Sequence, residues 1–194
     1  MIVNTHERWL AAPPAVVGAL LDGLAGPDDG LWPRDRWPAM RLDRPLGVGA
    51  RGGHGPVRYR VENYRPGSVV RFRFERPAGF DGHHAYVVVP RSSGTVLRHD
   101  LVMRTRGAAR LTWPLFFRPL HDALIEDSLE RAARSLGLPS SPPDGWPLRV
   151  RALRALGSRL AGAATRSVPV TGTARSSVRT SRRRPCPGGH DPAR

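Results

Sequence analysis

Alternating polar and apolar residues fill much of the first two thirds of this chain, and one long amphipathic segment ends that pattern. Residues 57–64 and 69–75 alternate with a period of two around a Pro-Gly turn, which predicts a β-hairpin. From Trp113 to Leu138 the apolar residues instead recur at helical spacing. Strands followed by one closing helix predict an α+β fold, a curved antiparallel sheet wrapped around a long C-terminal α-helix.

The remaining elements follow from the same two periods. A glycine-rich segment, residues 47–56, lacks the Lys-Ser/Thr ending of a phosphate loop, so we interpret it as a flexible hairpin or a loop at a cavity mouth. Trp32 and Trp37 stand in a Pro- and Asp-rich loop. We further expect an opening strand at 2–11, a short helix after Pro13-Pro14, and strands at 40–46, 82–90 and 95–105.

Composition changes after residue 138. Residues 139–194 contain 11 of the 31 Arg and only 2 of the 16 acidic residues, so they carry +9 of the net charge of +15. The sequence therefore predicts a domain at 1–138 and a Pro/Arg-rich appendage at 139–194, with a basic amphipathic helix at 146–164 and a disordered tail. Every basic residue is Arg. A GC-rich coding sequence or an anionic partner would each explain this, and we leave both open.

The single cysteine, Cys186, excludes an internal disulfide and makes a cysteine-based metal site improbable. The first residues lack a basic segment followed by an apolar stretch, and no apolar run approaches the ~18 residues of a membrane span. We therefore expect a cytoplasmic protein with no transmembrane segment. The Arg-rich tail is either inert or makes a weak contact with an anionic membrane or nucleic acid.

Segments 7–17, 57–75, 94–103 and 113–127 together resemble the SRPBCC superfamily, also described as START-like or polyketide cyclase-like. The resemblance covers about residues 1–138 and lies in the order and texture of the elements rather than in a catalytic signature. It implies a helix-grip fold with a deep, mostly apolar cavity between sheet and final helix, used for lipids, polyketides or other hydrophobic ligands. Fold is therefore better supported than activity.

Candidate ligand-binding residues come from the inward faces of the predicted elements. We expect Trp32 and Trp37 at the cavity mouth, and Trp9 and Trp113 in the core. His99 and His121 are the polar groups best placed to orient a ligand. From the sheet the candidates are Tyr59, Phe72, Phe74, Tyr86, His99 and Met103, and from the helix they are Phe117, Leu120, His121 and Leu124.

Two functions remain open from the sequence. The first is a carrier, sensor or accessory protein for a hydrophobic small molecule. The alternative is a polyketide cyclase- or dehydratase-type enzyme in which His99, His121 or Tyr86 acts as acid or base. His99 and Asp100 cannot act as a pair, because neighbours on a strand point to opposite faces. His83, His84, His99 and His121 form no metal motif, so we expect no metal and no cofactor.

Overall fold

The structure is a computed structural model that describes residues 1–140 and 145–166, the last nine as backbone alone. Its strands are β1 (Ile2–Leu10), β2 (Arg41–Leu42), β3 (Arg51–His54), β4 (Val57–Arg65), β5 (Val69–Arg76), β6 (Phe80–Arg91) and β7 (Gly94–Thr105). They form one antiparallel sheet in the order β1-β7-β6-β5-β4-β3-β2. The predicted α+β architecture is confirmed, and the predicted tail beyond Arg166 lies outside the described residues.

The inward face of this sheet is buried in β4 to β7 and partly covered along the edge strand β1. In β7 the inward residues Leu97, His99 and Leu101 are fully buried, and their neighbours are only partly covered. Antiparallel partners share a face, so the pairing of His99 with Tyr86 on β6 and with His6 on β1 turns all three inward. The alternation in the sequence therefore sets which side chains meet the final helix.

The helices lie on that inward face. Helix α1 (Pro14–Asp22) begins directly after Pro13 and buries Val17 and Leu21. The closing helix comprises α2 (Ala109–Thr112), a π-helical turn (Trp113–Phe117) and α3 (Arg118–Ser135). It begins four residues before the predicted start, and Gly137 follows its end in the left-handed conformation that glycine favours.

The π-helical turn coincides with two prolines. Pro119 has no N–H to donate to the carbonyl of Leu115 four residues earlier, so regular α-helical bonding is interrupted there. Arg149 supplies a substitute, because its guanidinium donates to the carbonyls of Pro114 (2.8 Å) and Leu115 (3.1 Å). A segment beyond the closing helix thus completes the bonding of this turn.

That segment is helix α4 (Leu148–Arg166), which packs on the domain. Val150 is buried in the main core, and Trp146 just before the helix packs against the same core. The indole N–H of Trp146 donates to Asp127 of α3 at 2.9 Å. The sequence left open whether this basic segment lies on a membrane or on the domain, and in the structure Val150 and Leu153 of its apolar side face the domain.

Two local expectations are wrong. The strand expected at 40–46 is only the two-residue β2. The glycine-rich segment does form a hairpin, because β3 pairs with β4 across a turn at Gly55 and Pro56 that lines the cavity. A Cβ atom on Gly52 would collide with the carbonyl of Arg41, so glycine is required for β2 and β3 to pair closely. Trp9 is 52% exposed rather than buried, because Leu10 occupies the inward position at that end of β1.

Candidate functional site

A cavity of about 700 Å³ lies between the sheet and the closing helix. Its sheet wall is formed mainly by Phe74, Phe80, His84, His99 and Leu101, and its helix wall by Trp113, Phe117, Leu120, His121, Leu124 and Ile125. The volume falls within the range of small-molecule sites, and the predominance of aromatic and aliphatic side chains is typical of them.

Eight of the twelve predicted ligand-binding residues line this cavity. They are Trp32, Trp37, Phe74, His99, Phe117, Leu120, His121 and Leu124. The other four, Tyr59, Phe72, Tyr86 and Met103, are buried in the core but do not line it. Tyr86 is held away by Ser128, whose hydroxyl lies 2.8 Å from the phenol oxygen and donates to the carbonyl of Leu31.

The sequence analysis missed several wall residues. His84 was considered only as a metal ligand, yet it lines the cavity beside His99 because β6 and β7 present both side chains inward. His54, in the segment predicted as a hairpin or a cavity-mouth loop, ends β3 with its ring 4.7 Å from that of Trp32. Leu153 and Arg154 of α4 also line the cavity. The inward alternation of β6 was a usable signal for His84, whereas no local pattern indicated where α4 would dock.

Three histidines converge at the inner part of the cavity. Nδ1 of His84 lies 3.2 Å from Nε2 of His99, and the ring of His99 lies 5.1 Å from that of His121. Within the described residues, Nε2 of His84, Nδ1 of His99 and both nitrogens of His121 are buried without a hydrogen-bond partner. Because buried polar atoms are normally paired, these nitrogens are available to a ligand.

Burial keeps these imidazoles neutral. It lowers the pKa of His84 and His99 well below the usual value, and the neighbouring histidines add to the effect. Burial also lowers the pKa of His121, although Asp122 opposes the shift. The pKa of His54 falls to about 3, chiefly through burial. At neutral pH this end of the cavity therefore offers hydrogen bonds without charge.

A charged cluster lies directly outside His121. Nδ1 of His6 is 2.6 Å from the carboxylate of Glu126, and Nε2 is 3.3 Å from Asp122. The hydrogen bond to Asp122 is the main reason that the pKa of His6 is raised, against the effect of burial. Burial opposes ionisation of Asp122, but contacts with His121 and His6 and the amide of Asn4 lower its pKa. This cluster links the cavity wall to the protein surface.

The cavity mouth is covered by α4 and the loop that carries the two tryptophans. The guanidinium of Arg154 stacks 4.2 Å from the ring centroid of Trp37 and 3.9 Å from that of Trp146. Asp127 accepts hydrogen bonds from both indoles and from Arg36, at 2.6, 2.9 and 2.6 Å. Buried Asp127 thus ties α4 and the loop to α3 beside the mouth.

The fold is similar to that of several solved structures. Norcoclaurine synthase of Thalictrum flavum, solved as a point mutant with a transition state analogue, has a TM-score of 0.52 at 16% identity, over 70% of this chain and 96% of that one. CalU16 from Micromonospora echinospora has a TM-score of 0.51 at 16% identity, over 82% and 86% of the two chains. A protein from Thermobifida fusca has a TM-score of 0.51 at 17% identity, over 69% and 95%.

These similarities establish the helix-grip fold, as the resemblance in the sequence predicts, and at such low identity they establish the fold alone. Neither the models of known protein families nor the sequences of curated proteins give a match. Among the residues that the structure describes, none of the helices combines the length and apolar character needed to cross a bilayer.

Proposed function

We propose that this helix-grip chain binds a hydrophobic small molecule in the cavity between its sheet and α3, as a carrier, sensor or accessory protein. The observation that carries the proposal is the cavity itself, about 700 Å³ of space with aromatic walls. A folded core of this size normally contains few voids larger than a water molecule. Space of this extent between well-packed elements is therefore best explained by a ligand.

The wall chemistry narrows the ligand class. Among the described lining residues Arg154 carries the one permanent charge, and it lies at the mouth between two indoles. The inner end offers unpaired nitrogens of His84, His99 and His121 instead. An isolated charge placed among neutral imidazoles and aromatic rings would lose its hydration without a counter-ion. We therefore propose an uncharged, largely apolar ligand with a hydroxyl or carbonyl group at its inner end.

A neutral fluorescent probe tests this proposal. N-phenyl-1-naphthylamine is apolar and uncharged, and its emission rises when it enters a dry site. Leu120 lies on the helix wall, so Leu120→Trp should fill part of the cavity and weaken probe binding at least tenfold. Leu111→Trp is the matched control, because Leu111 is 68% exposed and does not line the cavity. Equal probe affinity in the two variants would contradict binding in this cavity.

An acid/base enzyme of the polyketide cyclase or dehydratase type is the second candidate. The observation in its favour is that His99 and His121 both reach the same cavity, together with His84. A neutral imidazole can accept a proton from a bound substrate. In an enzyme, His99→Gln would leave probe affinity near wild type while abolishing conversion of the bound molecule. In a carrier, wild type and His99→Gln would both hold a bound molecule of the same mass.

Two further expectations belong to the proposal. A cytoplasmic location is supported by the single cysteine, which cannot form an internal disulfide. Contact of the Arg-rich tail with an anionic membrane or nucleic acid is a prediction on residues outside those described. Truncation after Leu138 would also remove α4, so the tail is tested by truncation after Arg166. If the truncated and the full-length protein bind anionic liposomes or nucleic acid with the same salt-dependent affinity, the tail is inert.

A further inference from the structure

Three potential metal ligands meet between β1 and α3, on the outer side of His121, which itself lines the cavity. The ligand atoms of His6, His121 and Asp122 all lie within 4.8 Å of one another. Nε2 of His6 is 3.3 Å from Oδ1 of Asp122, and Nδ1 of His121 is 3.6 Å from the same oxygen. Two imidazoles and a carboxylate are a common ligand set for zinc and related divalent ions.

The spacing fits one small cation. Ligands at about 2.0–2.1 Å from a tetrahedral zinc ion are separated by roughly 3.4 Å from each other. The two distances to the Asp122 oxygen bracket this value. The ligand nitrogens of the two imidazoles lie within 4.8 Å of each other, and ion binding requires any separation beyond roughly 3.4 Å to shorten. Three ligands would leave a fourth position for water or another small donor.

Outer partners already orient the ligands. Nδ1 of His6 lies 2.6 Å from Oε1 of Glu126, which fixes the ring. Nε2 lies 3.0 Å from the amide oxygen of Asn4 and 3.3 Å from Asp122, so an ion bound at Nε2 would replace the contact with Asn4. The amide of Asn4 donates to Oδ1 of Asp122 at 3.0 Å, and Arg118 lies 3.7 Å from the other oxygen. A carboxylate behind a ligating histidine is a recurrent feature of metal sites, because it sets the tautomer and raises the basicity of the ring.

His121 is the independent observation that points to a ligand. Both of its ring nitrogens are buried and have no hydrogen-bond partner among the described residues. A bound ion would satisfy Nδ1, and Nε2 would then carry the proton. Since His121 also lines the cavity, that N–H could donate to a molecule bound there.

We propose that His6, His121 and Asp122 bind one divalent transition-metal ion of the zinc class, with Glu126 as a positioning residue. The proposal does not depend on the hydrophobic ligand. Sequence reasoning considered other histidines, because His6 and Asp122 lie 116 positions apart and belong to no local motif.

Full-length, untagged protein stripped with a chelator is titrated with Zn²⁺ by calorimetry and with Co²⁺ by its visible d–d absorption. We expect one ion per chain and the intense Co²⁺ absorption of a four-coordinate site. Asp122→Asn and His6→Gln should each weaken binding more than tenfold, and Glu126→Gln about tenfold. Circular dichroism and thermal melting of the metal-free proteins show whether each variant is folded.

Two controls separate this site from other metal-binding groups. His83→Gln changes a histidine on the outer face of β6, and Cys186→Ser/His190→Gln removes the thiol and imidazole of the tail. Both should bind Zn²⁺ like wild type. Absence of stoichiometric binding by the wild-type chain would overturn the proposal whether or not the variants fold. The proposal would also be overturned if the tail variant lost Zn²⁺ binding while His6→Gln retained it. In that case His6 would only bridge Asp122 and Glu126 as an imidazolium.

Discussion

Acidification should destabilise this protein steeply, because His54, His84 and His99 are buried as neutral imidazoles. Their pKa values are lowered chiefly by burial, to about 3 for His54 and well below the usual value for the other two. In the unfolded chain each returns to an ordinary pKa near 6.5. Below pH 6.5 the unfolded state therefore binds about three protons that the folded state does not, and stability falls as pH falls.

The magnitude follows from proton linkage. Each such histidine costs about 1.2 kcal/mol of unfolding free energy between pH 6 and pH 5, so these three cost roughly 4 kcal/mol. Burial also lowers the pKa of His121, which adds to the loss. Two other titratable groups, His6 and Asp122, do not lose their stabilising contribution between pH 6 and pH 5. The pKa of His6 is raised, so its stabilising contribution is complete below pH 6.5 and is lost only as pH rises through the folded value. Asp122, whose pKa is lowered, loses its contribution only below its ordinary value of 3.8.

Urea unfolding followed by tryptophan fluorescence at pH 6.0, 5.5 and 5.0 measures this slope. His99→Gln should reduce the loss by about one quarter to one third, because one of the buried histidines, His54, His84, His99 and His121, is gone. His83→Gln, on the outer face of β6, should change the slope less than His99→Gln, because His83 is only partly covered although burial lowers its pKa as well. The reasoning is refuted if stability is constant between pH 6 and pH 5, or if the slope in His99→Gln equals that of wild type.

Two further substitutions test how α4 and α1 pack against the rest of the domain. Asp127→Asn weakens the hydrogen bonds from Trp37, Trp146 and Arg36, so α4 should lose about 2 kcal/mol of docking energy. The backbone amides of α4 should then undergo hydrogen exchange about 30-fold faster, and unchanged exchange would contradict the role of this carboxylate. Gly18→Ala places a Cβ 2.5 Å from the backbone oxygen of Gly67 and should cost about 1–3 kcal/mol in urea unfolding. Gly47→Ala is the control at a half-buried glycine whose nearest atom lies at 3.8 Å, and it should cost less than about 1 kcal/mol. Equal costs would contradict tight packing of α1 on the turn between β4 and β5.

The architecture was predictable because it depends on local periodicity. Alternation in residues 57–64 and 69–75 corresponds to β4 and β5, and the helical spacing from Trp113 corresponds to most of the closing helix. Inward-facing positions such as His99 followed from the same period of two. The edge of the sheet at β2 and β3 was less predictable, because these two strands pair through the close backbone approach at Gly52 rather than through a side-chain pattern.

The site was predictable only where one element determined it. The resemblance implied a cavity, and alternation then placed Phe74 and His99 on its wall. Convergence of His121 with His6 depends on where α3 crosses β1, and one sequence contains no signal for that crossing. Docking of α4 was equally hidden, because an amphipathic stripe that begins at Val150 fits a membrane surface as well as a domain core.

Native mass spectrometry of the chain purified from its own host tests the central claim most directly. The account predicts a bound species of fixed mass, uncharged and hydrophobic, that is released when the protein unfolds. Leu120→Trp prepared in the same way should carry much less of it, and Leu111→Trp should carry as much as wild type. Bare protein in repeated preparations, or a bound mass that is the same in Leu120→Trp, would contradict a ligand in the cavity.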